Sequence, residues 1–133
     1  MNKKVLVMCT GNSCRSIIAE ALINRYIKGI KAYSCGVNPA KEVNKNAKRV
    51  LKENNCWSDN YYSKHLDALK DIDFDLVVTV CDHAKESCPI FPKDTKIIHI
   101  GFEDPDGKEY KAFIDTFNSI KSILLPQVKK YIS

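Results

Sequence analysis

Cys9 and Arg15 stand with five residues between them in the segment Cys9-Thr10-Gly11-Asn12-Ser13-Cys14-Arg15-Ser16. A short apolar run precedes it over 3–8, and apolar positions at helical spacing follow it: Ile17, Ile18, Ala21, Leu22 and Tyr26, closed by Gly29. A strand-to-helix loop of this length, with Gly11 and Asn12 tolerant of unusual φ, can curl so that successive backbone N–H groups point inward. The helix beyond it adds unpaired amide donors and the positive end of its dipole. Arg15 supplies a planar fork that matches two oxygens of a tetrahedral oxyanion. The same positive surroundings favour the thiolate of Cys9, which is the nucleophilic form, and Ser16 can donate a hydrogen bond to that sulfur. The frame is neither the dinucleotide pattern GxGxxG nor a phosphate-binding GxxxxGK loop. A capped helix starting near a buried cysteine would explain one of these residues, not the whole eight-residue frame.

The elements that must position this loop alternate along the chain. Strands are expected over 3–8, 32–35, 74–80 and 96–100, the run FDLVVTV at 74–80 being the strongest. Helices are expected after the loop, over 44–54, in a short piece at 66–70, and over 108–131. The last carries Phe113, Phe117, Ile120, Leu124 and Val128 at spacings of three and four, with Pro126 expected to interrupt it. Continuous apolar strands alternating with helices predict an α/β fold, a three-layer single domain over 1–133 with a four-stranded parallel sheet covered on both faces. In such folds ligands sit beyond the carboxyl ends of the strands, near a switch in strand order. Cys9 and Cys81 both close strands, so both fall on that edge. Cys88 follows seven residues after Cys81, and Asp104-Pro105 follows the last strand.

The totals limit the alternatives. A chain of 133 residues buries roughly two-thirds of its unfolded surface, enough for a core without disulfide or metal staples. Hydrophobic residues at 44% and charged residues at 28% are ordinary for a soluble globular protein. The opening residues are too short and too quickly polar for a signal peptide, and no apolar run approaches transmembrane length. A cytoplasmic location is therefore expected, where thiols stay free unless they do chemistry. That makes six cysteines a rich count. Net charge is +5, with eight Lys or Arg against Glu42 alone over 24–52. This reads as solvated helix faces and a mild field that attracts anions. It lacks the dense basic stripe of a nucleic-acid reader, so neither nucleic acid nor membrane is expected as a partner. With no CxxC pair, and His65, His83 and His99 at no ligand spacing, no zinc site is expected.

The loop resembles that of the low-molecular-weight protein tyrosine phosphatases and of the arsenate reductases that share their fold. That family carries an Asp-Pro pair on a late loop, and the resemblance implies that Asp104 protonates the oxygen leaving the tetrahedral centre. Within the family, CDHAKESCP resembles the redox segment of the thioredoxin-coupled arsenate reductases, in which a strand ending VVT is followed by Cys, six residues and Cys-Pro. The motifs CTGNSCRS, AYSCG, the Cys pair and GFEDP fall in the family's order over most of the chain.

The resemblance implies an enzyme that reduces arsenate to arsenite through a Cys9–Cys81–Cys88 relay. Its substrate would be held by Thr10, Gly11, Asn12, Ser13, Cys14 and Arg15, with Ser16 beside the nucleophile. It further implies no bound cofactor, thioredoxin as external reductant, a monomer, and weak residual phosphatase activity. Two other readings stay open, a low-molecular-weight phosphatase and a thiol redox sensor that keeps the fold. Cys14 is expected to shape the loop, and Cys35 and Cys56 to serve packing. Asn12, Glu20 and Ser34 match positions where some family members hold potassium, but Lys64 replaces the family's Asp. Bound potassium is therefore not expected, and Lys64 is read either as filling the cation position or as a surface lysine. Ile100 stands where the family usually has Trp.

Overall fold

Every residue of Val5–Cys9 is buried, at 2% exposure or less, because the first strand runs through the middle of a sheet. The computed structural model describes residues 3–92 and 94–132. Its four strands are β1 (Lys3–Cys9), β2 (Ile30–Gly36), β3 (Leu76–Thr79) and β4 (Lys96–His99), in the order β2-β1-β3-β4 and all parallel. The order reverses between β1 and β3, which makes the gap between their carboxyl ends the switch point. Cys9 closes β1, and Cys81 lies just past β3. Both reach that crevice, as the sequence predicts.

Helix α1 (Arg15–Tyr26) packs along β1 and β2 and buries Ile17, Ile18, Ala21, Leu22 and Ile23 at 0% exposure. Helix α2 (Lys45–Glu53) begins at Asn44, whose side chain accepts from the Asn46 N–H at 2.8 Å, a capping role that suits Asn. A single 3₁₀ turn occupies Leu66–Leu69. The C-terminal stripe behaves as its spacing demands, with Phe113, Phe117, Ile120, Leu124 and Val128 all buried. Burying one such side chain contributes about 1.5–3 kcal/mol. No helix among the described residues is long and apolar enough to cross a membrane.

The expected break near Pro126 is present, and other boundaries differ from expectation. The last helix divides into α4 (Tyr110–Ser119), a π-helical turn (Ile120–Leu124) and α5 (Leu125–Ile132). The interruption falls one turn before Pro126, which lacks an N–H to offer the Ser122 carbonyl. Phe74 lies outside β3, and its ring meets Tyr33 edge-on at 5.6 Å. The polar stretch after Cys81, where no helix is expected from sequence, forms the short helix α3 (Asp82–Glu86) with Ala84 as its one buried residue.

Candidate active site

The loop closes around the Cys9 sulfur. Ser16 Oγ lies 3.0 Å from Cys9 Sγ, and the Asn12 backbone N–H donates to it at 3.3 Å. Asn12 holds φ at +49°, in the left-handed region that Asn tolerates better than most residues. Gly11 does not share that conformation, so of the two residues expected to bend the loop it is Asn12 that does. The Asn12 amide donates both its hydrogens, to Ser16 Oγ at 2.7 Å and to Ser34 Oγ at 2.9 Å. Because Ser16 accepts from Asn12, its own hydrogen is free to turn to the Cys9 sulfur. Ser34 in turn donates to Glu20 Oε1 at 2.5 Å. Three polar side chains, each 0% exposed, thus connect Glu20, itself 6% exposed, to Cys9.

The other walls come from further along the chain. The Lys64 N–H donates to Asn12 Oδ1 at 2.9 Å and the Ser63 hydroxyl to the Gly11 carbonyl at 3.0 Å. Gly36 allows β2 to press against the loop, since a Cβ there would lie 2.5 Å from the Thr10 carbonyl oxygen and 3.0 Å from Asn12 N. From sequence, Gly36 reads only as the end of a strand. The close approach depends on pairing to a loop twenty-odd residues away, which no local pattern reveals.

Arg15 and Asp104 come together. The Arg15 guanidinium donates to the Phe102 carbonyl at 3.0 Å and lies 3.5 Å from Asp104 Oδ2. Asp104 Oδ1 also accepts from the Asp106 N–H at 3.0 Å, so this residue shapes its turn as well as facing the loop. Asp106 is tied to Asn44 at 2.9 Å, and the cleft beside Ser13 is lined by Ala40, Glu42, Val43, Asn44 and Asp106.

Cys81 caps α3 with its sulfur 3.4 Å from the Ala84 N–H and 3.2 Å from Thr10 Oγ1. The residue next to Cys9 in the chain therefore touches the second thiol. Cys88 is half-buried beyond the far end of α3, and burial pushes its thiol above the ordinary range. Burial first, then the nearby charges of Asp104 and Asp106, raises Cys14 to about 12 against the pull of Ser13, so it remains a neutral loop thiol. Burial, with Cys9 next, raises Cys35 to about 12. Cys56 is also buried and raised. These three fit packing roles. Among the described residues no three His, Cys, Asp or Glu side chains gather as a metal site.

Lys64 is not a surface lysine. It is 8% exposed, its ammonium donates to the Tyr62 carbonyl at 2.9 Å and lies 4.4 Å from the Tyr62 ring centre. Burial raises Glu20 to about 7, and the Lys64 charge and the Ser34 hydroxyl oppose that rise. Burial likewise lowers Lys64, against the Glu20 charge. Lys64 thus brings positive charge to the carboxyl that a cation would otherwise meet, and the set does not fit bound potassium.

Comparison with known proteins agrees with this geometry. Residues 4–130 match the family described as low molecular weight phosphotyrosine protein phosphatase. An arsenate reductase of Bacillus cereus strain AH187 is 44% identical over 114 residues, covering 84% of each chain. The crystal structure of an arsenate reductase from Archaeoglobus fulgidus superposes with a TM-score of 0.78 at 34% identity, over 94% of this chain and 98% of that one. A low molecular weight protein tyrosine phosphatase from T. tengcongensis gives a TM-score of 0.79 at 25% identity, over 97% and 99% of the two chains. With residues 4–130, nearly its whole length, matched, the chain belongs to the low molecular weight phosphotyrosine protein phosphatase family.

Proposed function

We propose that this chain, acting as one catalytic domain in the cytoplasm, reduces arsenate to arsenite through a Cys9–Cys81–Cys88 relay, with thioredoxin reducing the final disulfide. The observation that carries the reading is the 3.2 Å contact between Thr10 Oγ1 and Cys81 Sγ, which sets a second thiol against the nucleophile's own loop. The cleft beside Ser13 supports it too. Glu42, Asp106 and Lys45 but no aromatic ring line that cleft, so a phosphotyrosine ring finds no stacking partner there, whereas a small inorganic oxyanion needs none.

The steps follow from the positions. The loop amides and Arg15 hold the arsenate oxygens, and the Cys9 thiolate attacks arsenic. One As–O bond breaks, and that oxygen leaves as water with the proton of Asp104. The Cys81 thiolate then attacks the Cys9 sulfur. An S–S bond forms, the S–As bond breaks, and its electron pair stays with arsenic, which leaves as arsenite. Cys88 attacks Cys81 by thiol–disulfide exchange, freeing Cys9 as a thiolate and leaving Cys81–Cys88. A dithiol such as that of thioredoxin restores the pair. Seven residues of mostly helical chain put Cys81 and Cys88 roughly 10 Å apart. A disulfide needs Cα atoms within about 4.4–6.8 Å. The last exchange therefore requires α3 to unwind, which also carries the disulfide outward.

Lys64 serves as the built-in counter-charge of Glu20, holding the carboxylate that orients Ser34, Asn12 and Ser16 towards Cys9. The test of the whole reading compares arsenate-dependent thiol oxidation with phosphate-ester hydrolysis on one preparation. Arsenite release is the dominant activity, hydrolysis is weak, and Cys9→Ser abolishes both. Hydrolysis without arsenite release would make the chain a phosphatase. Arsenate turnover surviving in Cys9→Ser would remove the nucleophile, and neither activity in the intact protein would leave a redox sensor.

A further inference from the structure

His99 ends β4 and reaches over the turn between β3 and α3. Its Nδ1 lies 2.8 Å from Thr79 Oγ1, and its Nε2 lies 3.3 Å from Asp82 Oδ1. Thr79 is the last residue of β3, 1% exposed, and Asp82 is the first residue of α3. The ring therefore spans the two residues that bracket Val80 and Cys81. Gly101 helps to seat it, since a Cβ there would lie 3.3 Å from His99 Nε2. Helix α3 buries Ala84 alone, so its attachment to the sheet depends on few contacts.

We infer that His99 is a positioning residue for the relay: by bridging Thr79 and Asp82 it fixes the strand-to-helix turn that aims the Cys81 sulfur at the Cys9 loop. The inference rests on the proposed relay. The physical reason is that an attacking sulfur must approach along the axis of the bond it breaks, and a displacement near 1 Å can cost about a hundredfold in rate. Thr79 sits within the sheet and cannot drift. Asp82 sits on an element that must later unwind, and its side chain is 90% exposed. A contact to an exposed carboxylate is weak enough to release on opening, yet sufficient to orient the turn beforehand.

The test is a double-mutant cycle on His99→Ala and Asp82→Ala, read by single-turnover arsenite release. Each single variant slows release about tenfold, and the double variant is no slower than either, because both remove one contact. Phosphate-ester hydrolysis, which uses Cys9, Arg15 and Asp104 only, stays at the level of the unaltered protein. Release at the unaltered rate in Asp82→Ala would overturn the inference, and so would multiplied losses in the double variant. A parallel fall in hydrolysis would do the same, since it marks general distortion of the site. If His99→Ala fails to fold, Asp82→Ala alone decides, because its side chain has no core to disturb. Absence of arsenite from the unaltered protein would instead overturn the reductase reading. The four proteins then report on the bridge through diamide-driven Cys9–Cys81 disulfide formation, which must slow in the same pattern.

Discussion

Around Cys9, Asn12, Ser16 and Ser34 are each 0% exposed, and every polar atom of their side chains has a partner. Between Cys81 and Cys88, Ala84 alone is buried and the polar side chains face water. The contrast fits what the proposed relay asks of each region. A loop that stabilises charge on a tetrahedral oxyanion gains from donors fixed before the substrate arrives. A segment that must bring two sulfurs together from opposite ends of a helix gains from having little to break. One fold therefore places a rigid half-site and a yielding one on either side of the β1–β3 switch point.

Changes to the rigid half should act on the first chemical step and in large amounts. Asp104→Asn keeps oxyanion binding but slows formation of the Cys9 adduct by roughly two to four orders of magnitude, the range expected for loss of a general acid. Rapid-quench measurement of the adduct checks this, and an unchanged rate at neutral pH would reduce Asp104 to its turn-forming role. Gly36→Ala ranks next. Its Cβ meets the Thr10 carbonyl at 2.5 Å, so either β2 or the loop must shift. About 1–3 kcal/mol of stability is lost, and adduct formation falls by about a hundredfold. Thermal unfolding and the same quench assay measure both, and wild-type kinetics in a folded Gly36→Ala protein would show that the loop is less rigid than described.

Lys64→Met should have the smallest effect on turnover, a few-fold, but the clearest signature in pH. Burial raises Glu20 from 4.5 to about 7 despite Lys64. Between those values the unfolded chain releases its proton while the folded chain retains it. The stability from this group is therefore complete below about 4.5 and is lost as pH rises through about 7. Removing the ammonium raises Glu20 further, so the loss extends to higher pH, at about 1.4 kcal/mol for each added pKa unit. Melting temperatures from pH 5 to 8 should fall more steeply for Lys64→Met than for the unaltered protein. Parallel curves would separate Lys64 from Glu20.

The two halves also differed in how far the sequence disclosed them. The Cys9 loop lies within eight consecutive residues, and its strand and helix neighbours announce themselves by local periodicity. The four parallel strands and the buried C-terminal stripe could be read in that way, whereas the meeting of Arg15 with Asp104 could not. The contacts that hold the loop could not. Gly36, Lys64 and Thr10 act across separations of 24 to 71 residues, through a close backbone approach, a backbone N–H and a sulfur contact that leave no spacing signal. In the sequence His99 is only a histidine without metal-ligand spacing, because its partners lie on a neighbouring strand and on a helix hidden by a polar stretch. That helix is hidden for the same reason, since five residues with one buried position carry no measurable period.

Single-turnover arsenite release, with mass spectrometry of trapped disulfides, tests the relay most directly. Cys81→Ser should form the Cys9 adduct and release little arsenite in the absence of another thiol, because hydrolysis cannot supply the two electrons arsenic needs. Cys88→Ser should release one arsenite per enzyme and accumulate the Cys9–Cys81 disulfide, while ester hydrolysis continues in both. Repeated arsenate turnover by both variants with thioredoxin as reductant would contradict the three-cysteine relay.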